Sequence, residues 1–344
     1  YLFLSFDERK ALKPLYTGLR KVIPEDRFLR AKSPLPPPEE QTAIARYLDY
    51  VDRRIRRYIR AKRRLIEVLT EQKQAIIHQA VTRGLDPDVP MKDSGVAWLG
   101  EIPAHWNQFP TKRVLSKADY GTSEATKSDG RVRVLTMGNI QNGEVTDASF
   151  GRLNHVPDEL LLEHYDLLFT RTNGNPDLVG KIGIFRGTGS DLVSFASYLV
   201  RFRVAEPHIP QWLHLLLSST TFWRYARSHA LVNLQTNLNP TRYGQFLIPV
   251  PPPMEQNLIV GYIAKETGII VDAIENAKEE IALLREYRTR LIADVVTGKV
   301  DVRGAVVSLP VEVGDEEMEN GEAWAEDAED ENGEAVPEEG EDDV

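Results

Sequence analysis

The sequence predicts an α+β chain in which one α/β domain is flanked by two long helices that pair antiparallel as a coiled coil. Three observations carry that prediction. A stretch of 53 residues is written twice, 215 positions apart and without a gap, with about 17 identical positions. Each copy opens on a proline run and continues as a proline-free heptad pattern of apolar residues. Between the copies, roughly from Gly84 to Gln245, lies an unrepeated block whose short β-branched stretches read as strands. A repeat of this kind sets architecture before any single motif does.

Pro34-Leu-Pro-Pro-Pro-Glu-Glu-Gln41 lies over Pro249-Val-Pro-Pro-Pro-Met-Glu-Gln256. Proline holds the chain extended, so each helix begins only after the run, near Glu39-Glu40-Gln41 and Glu255-Gln256, where acidic residues suit a first turn. Leu48, Ile55, Lys62, Leu69 and Ile76 then form one heptad column, and Asp52, Ile59, Ile66, Lys73 and Ala80 the other. The second copy keeps both columns as Ile263, Ile270, Ala277, Leu284, Leu291 and Thr267, Ile274, Ile281, Arg288, Val295. Four to five such heptads predict a coiled-coil helix, and about 40 residues at 1.5 Å per residue reach roughly 60 Å. That is the length of a spacer.

The two copies differ in charge. Residues 53 to 64 hold Arg53, Arg54, Arg56, Arg57, Arg60, Lys62, Arg63 and Arg64. With Leu48 level with Leu291 and Ile55 level with Leu284, this stretch lies opposite Glu275, Glu279, Glu280 and Glu286. Exposed pairs stabilise little, so the charges select orientation and partner while the Ile and Leu seam supplies stability. The competing reading, a solvated Arg-rich face, leaves the acidic bias of the second copy without a cause.

At 344 residues the chain is long enough for two or more domains. It shows no apolar run of membrane length and no signal peptide, and it has no cysteine, which excludes disulfide and thiolate chemistry. A cytoplasmic protein with no membrane partner is expected. The net charge of −10 is unevenly spread: residues 311 to 344 carry 17 of the 52 Asp and Glu and no Lys or Arg. The remaining 35 face all 42 Lys and Arg, a net of +7. The acidic end is therefore expected to be a disordered tail, and the rest is mildly basic.

After Thr82-Arg83-Gly84, residues 84–106 read as turn-rich linker. Beyond it Arg131–Leu135, Asp166–Thr170, Lys181–Phe185 and Tyr198–Val204 read as strands, Pro210–Leu217 as a helix and Phe222–Arg227 as another. Three polar loops interrupt this block: Arg171-Thr-Asn-Gly-Asn-Pro, Gly187-Thr-Gly-Ser, and Asn233-Leu-Gln-Thr-Asn-Leu-Asn-Pro-Thr-Arg242. Arg reads guanine, Asn and Gln pair two-pronged with adenine, and Lys holds phosphates. Asn and Gly in loops are also ordinary turn formers, so composition alone does not establish DNA binding.

The repeated Pro-x-Pro-Pro-Pro-x-Glu-Gln lead-in and the passage Gly84-Leu-Asp-Pro-Asp-Val-Pro-Met-Lys-Asp-Ser-Gly-Val-Ala-Trp-Leu-Gly-Glu-Ile-Pro-Ala-His-Trp106 resemble the specificity subunit of a Type I restriction-modification system. The resemblance covers nearly all of residues 10 to 304. It implies a non-catalytic subunit with no cofactor of its own, whose target-recognition domains read halves of a split double-stranded DNA site. Its paired helices set the spacing and help dock methyltransferase subunits; whether a restriction subunit joins is left open. On this reading residues 1–33 are the remnant of a first target-recognition domain, 34–83 the central conserved helix, 84–106 a linker and 107–248 the second target-recognition domain. Residues 249–304 are the distal conserved helix and 305–344 the acidic tail. Tyr16-Thr-Gly-Leu-Arg-Lys matches only the close of a first recognition domain, so an N-terminally truncated chain reading one half-site is expected.

The residues expected at bases or backbone are Arg171, Asn173, Gln235, Asn237 and Arg242, with Lys112, Arg113, Lys127 and Lys181 at phosphates. The seam is expected at Leu48, Ile55, Ile59, Ile66, Leu69, Ile263, Ile270, Ile274, Ile281 and Leu284. Enzymatic readings fail on spacing. Pro176-Asp177 with Lys181 has Val179 where a nuclease needs a metal-binding carboxylate. Asn239-Pro240 lacks the proline and aromatic residue of an adenine methyltransferase, Gly187-Thr-Gly-Ser lacks a phosphate-loop ending, and the seven His show no metal spacing. Two competing functions stand beside DNA reading: a coiled-coil assembly module or inactive remnant, and self-association of the truncated chain through its seam.

Overall fold

The computed structural model describes residues 1–8, 12–16, 22–30, 35–146, 150–171, 180–187, 192–224 and 240–310. The acidic tail from 311, Asn173, Gln235 and Asn237 lie outside the described residues. The chain divides into two units, Tyr1–Tyr58 with Leu283–Val344, and Ile59–Ala282.

Two helices dominate the element order, Pro38–Arg83 of 46 residues and Pro253–Val296 of 44. Each starts on the last proline of its run, where the missing N–H is an orphan in any helix. The repeated Gln closes both junctions in the same way. Gln41 Nε2 donates to the Pro36 carbonyl at 2.7 Å, and Gln256 Nε2 to the Pro251 carbonyl at 2.9 Å. The burial differs: Gln41 is exposed and Gln256 wholly buried.

In the first unit, Leu48 packs with Ile292, Val295, Val296 and Val302, and the N-terminal helix Leu2–Glu8 adds Leu2 and Leu4 to that cluster. Asp52, on the same helix, accepts a hydrogen bond from Arg288 Nε at 2.5 Å. Rising numbers on one helix thus meet falling numbers on the other, so the helices run antiparallel here. The short helix Glu25–Leu29 buries no residue.

The second unit shows the same direction in its own helical stretches. Lys62 Nζ lies 2.7 Å from Glu280, one of the acidic residues expected opposite the Arg-rich stretch. Ile77, Ala80 and Val81 share a buried cluster with Ile259 and Ile263. Ile59, Ile263, Ile270, Ile274 and Ile281 are buried, whereas Ile66, Leu69 and, in the first unit, Leu284 are half-buried.

Residues 84–106 differ from a plain linker. Gly84, at φ +76°, caps the first long helix, and β1 (Met91–Asp93) pairs antiparallel with β2 (Glu101–Pro103). Lys92 Nζ donates to the carbonyls of Ala104 and Trp106. Trp98, Leu99, Ile102 and Trp106 are buried in the main cluster, so hydrophobic burial orders a passage whose Pro and Gly content reads as loop.

The block that follows is built on a six-stranded sheet of order β4-β12-β9-β10-β7-β6. Its strands are β4 (Leu115–Tyr120), β6 (Ile140–Gln141), β7 (Glu144–Val145), β9 (Leu167–Thr170), β10 (Ile182–Ile184) and β12 (Leu199–Val204). All neighbours pair antiparallel except β10 with β7. A three-stranded sheet sets β5 (Val132–Leu135) between β11 (Leu192–Phe195) and β8 (Gly151–Leu153). β3 (Asn107–Pro110) pairs with β13 (Leu247–Val250), which closes the block just before the second proline run. The four strands read from sequence are β5, β9, β10 and β12, and the helix Pro210–Leu217 packs Trp212, Leu213, Leu216 and Leu217 into the core. Residues 220–224 are helical where the second helix was expected, and 225–227 lie outside the described residues.

Candidate nucleic-acid interface

Strand register decides which loops meet. Tyr120 pairs with Val200, Thr170 with Leu199 and Ile182 with Phe169. The end of β4, the end of β9 and the starts of β10 and β12 therefore share one end of the sheet. That end carries Arg171 and Lys181 from the expected set. Arg171 donates its backbone N–H to the Tyr198 carbonyl at 2.9 Å, and its guanidinium carbon lies 4.6 Å from the Tyr120 ring centroid, a cation–π contact. Tyr198 is 58% exposed and Lys181 is exposed. An arginine held against a tyrosine, with a second tyrosine and a lysine beside it, offers donors and flat apolar area to a polyanion.

The loop after β9 returns through Gly180, at φ +83°. A Cβ there would lie 1.9 Å from the Trp223 ring, so only glycine fits. Lys127, in the loop after β4, is exposed and bridges Arg152 of β8 through backbone hydrogen bonds.

Lys112 and Arg113 stand elsewhere. They precede β4, at the opposite end of the sheet, and both are exposed; Arg113 lies over Phe109 at 5.1 Å. The helix Pro240–Gln245, which carries Arg242, joins them: Thr111 donates to the Phe246 carbonyl, and Lys112 is the neighbour a Cβ on Gly244 would meet. Among the described residues, the expected set other than Lys127 thus falls into two groups at opposite ends of one sheet. Asn173, Gln235 and Asn237 are outside the described residues.

The sheet itself carries a charged network, on β12 and β4, that was not among the expected site residues. Arg201 is fully buried; its Nε and Nη2 grip both oxygens of Asp119 at 2.9 and 2.5 Å, and it donates to the carbonyls of Leu161 and Glu159. Arg203 grips Asp166 at 2.8 and 2.7 Å and also pairs with Glu163. The hydrogen bond to Asp166 makes Arg203 hold its proton more tightly. Paired and saturated in this way, the network is scaffold. Its one signal in the sequence was Arg alternating with apolar residues in β12. Among the described residues no group of three or more His, Asp or Glu is placed to hold a metal, and no helix is long and apolar enough to cross a membrane.

No family model matches the chain. It is 25% identical over 315 residues to the Type I restriction enzyme MjaVIII specificity subunit of Methanocaldococcus jannaschii, covering 88% of this chain and 70% of that protein. It is 24% identical over 280 residues to the Type I restriction enzyme EcoKI specificity subunit of Escherichia coli K12, covering 78% of this chain and 57% of that one. The chain is similar to Type I specificity subunits. A solved structure of an assembled type I R-M system contains a chain of the same fold, with TM-score 0.61 and 15% identity over 86% of this chain and 69% of that one. That likeness shows the fold alone.

Proposed function

We propose that the chain is a non-catalytic subunit that recognises a sequence in double-stranded DNA for a Type I restriction-modification complex. Residues 107–248 act as the target-recognition domain, and 34–83 with 249–304 as the conserved helices that form its coiled-coil spacer. The observation that carries this reading is the convergence of Arg171, Lys181, Tyr120 and Tyr198 at one sheet end, in a block bracketed by two copies of one helix. Arg171 and Lys181 contact DNA from that end, Lys112 and Arg113 grip backbone from the other, where the helix carrying Arg242 also lies, and Lys127 contacts a phosphate from the loop after β4. Asn173, Gln235 and Asn237, outside the described residues, are assigned to bases or backbone from their residue type alone. Side chains at base edges specify and cations at phosphates position.

The helices also dock methyltransferase subunits, which supply the chemistry. Met254, Leu258, Tyr262 and Ile269 recur at helical spacing on the second long helix and are 79, 60, 42 and 81% exposed, an apolar stripe of the kind that marks a protein interface.

The test is methylation mapping in a host carrying this chain and its methyltransferase, before and after exchange of residues 107–248 for those of a relative. A split adenine motif that changes with the exchange is expected. A motif that stays the same rejects the assignment of that block. Co-purification with the methyltransferase without binding to any DNA would favour a pure assembly module.

A further inference from the structure

We infer that the Asp52–Arg288 ion pair selects the register and partner of the helix pair, and that it contributes little to stability. It rests on the helix pairing alone and is independent of DNA reading. Asp52 is 5% exposed and Arg288 8%, on columns whose other members are Ile, Leu, Val, Ala and Thr apart from Lys62 and Lys73. Arg288 Nε donates to Asp52 Oδ1 at 2.5 Å, while Arg56, one turn on, takes Oδ2. An ion pair so enclosed gives up much of its attraction to desolvation, and apolar replacements of similar size are often neutral or stabilising. Its other attested use is to make wrong alignments costly.

The wrong alignments can be counted. The apolar columns repeat every seven residues, so they alone tolerate a slip of one heptad. Such a slip would set Asp52 against Ile281 with Arg288 against Ala45, or Asp52 against Val295 with Arg288 against Ile59. Asp52 then faces buried hydrocarbon in either register and Arg288 does so in the second. The duplication adds a second hazard, because each helix resembles its partner and could pair with its own kind in a second copy. In that case the second helix would set Arg288 against Thr267 and Glu280 against Glu275. The first would set Lys62 against Arg63 while giving Asp52 the opposite charge of Lys73, so partner choice is penalised chiefly through Arg288 and the like-charge pairs. Only the observed pairing joins Asp52 to Arg288 and Lys62 to Glu280.

The chain has no cysteine, so Ala45→Cys and Arg290→Cys, both at exposed positions, place two spin labels on the full chain. Electron–electron distance measurement and sedimentation at several concentrations are run with Asp52 and Arg288 intact and with Asp52→Leu/Arg288→Leu. The intact pair is expected to give one narrow distance and one species. The double variant is expected to melt at the same temperature or higher, with either a second distance displaced by on the order of 10 Å along the axis or concentration-dependent dimers. One unchanged distance and one species in the double variant would overturn the inference. A lowered melting temperature or loss of folding would overturn it as well, by showing that the pair's main contribution is stability.

Discussion

Gly180 and His214 show how much single positions constrain this chain. At Gly180 an added methyl group meets both a left-handed backbone, φ +83°, and the Trp223 ring. Gly180→Ala is expected to lower stability by roughly 2–5 kcal/mol, combining the cost of a left-handed alanine with overpacking; a urea titration of both proteins checks it. His214, in the helix Pro210–Leu217, is held to a pKa of about 4 because burial disfavours its charged form. Its ordinary value is 6.5, so between these values the unfolded chain takes up a proton that the folded chain refuses. Stability is full above pH 6.5 and declines as pH falls towards 4, by on the order of 3 kcal/mol. His214→Gln should flatten the melting temperature across that window, and an equally steep decline in the variant would exclude His214 as the cause.

The two junctions between proline run and helix are one element used in two settings. Gln256 donates to Pro251 and contacts His208 Nδ1 at 3.1 Å, while its Oε1 accepts the Ile209 backbone N–H at 2.8 Å, all in a fully buried position. Gln256→Ala would strand the Ile209 N–H and is expected to cost about 2–4 kcal/mol. Gln41→Ala, at the exposed twin, is expected to cost under about 1 kcal/mol; equal losses in thermal melts would contradict this account. The duplicated motif was legible because its local job, closing a helix start, depends on six consecutive residues. Its second job in the Gln256 copy was not, because His208 and Ile209 come from far along the chain. The heptad columns were legible for the same reason as the junction, and they even set Asp52 and Arg288 on the seam. The register read from those columns already sets Asp52 level with Arg288 to within one residue; what it could not say was that the two side chains would meet in a hydrogen bond.

At the scale of the whole molecule, the helices and four strands were readable from periodicity, and the passage 84–106 was not. Its hairpin exists because Trp98, Ile102 and Trp106 are buried in a cluster supplied by residues as distant as Ile263. The candidate site was readable as a list of residue types and not as a place. Arg171 and Lys181 share a sheet end with Tyr120 and Tyr198 because the strand order is β4-β12-β9-β10, an order that chain sequence does not reveal. Lys112 and Arg113 fall at the far end for the same reason. The indoles have a practical consequence. Trp98, Trp106, Trp212 and Trp223 all belong to the unit Ile59–Ala282, and Trp324→Phe removes the fifth. Emission from that variant then reports on the sheet-bearing unit and is blind to melting of the terminal one, which circular dichroism sees through its helices. A dichroism transition that precedes the emission change would show two separately cooperative bodies; coincident curves would show one.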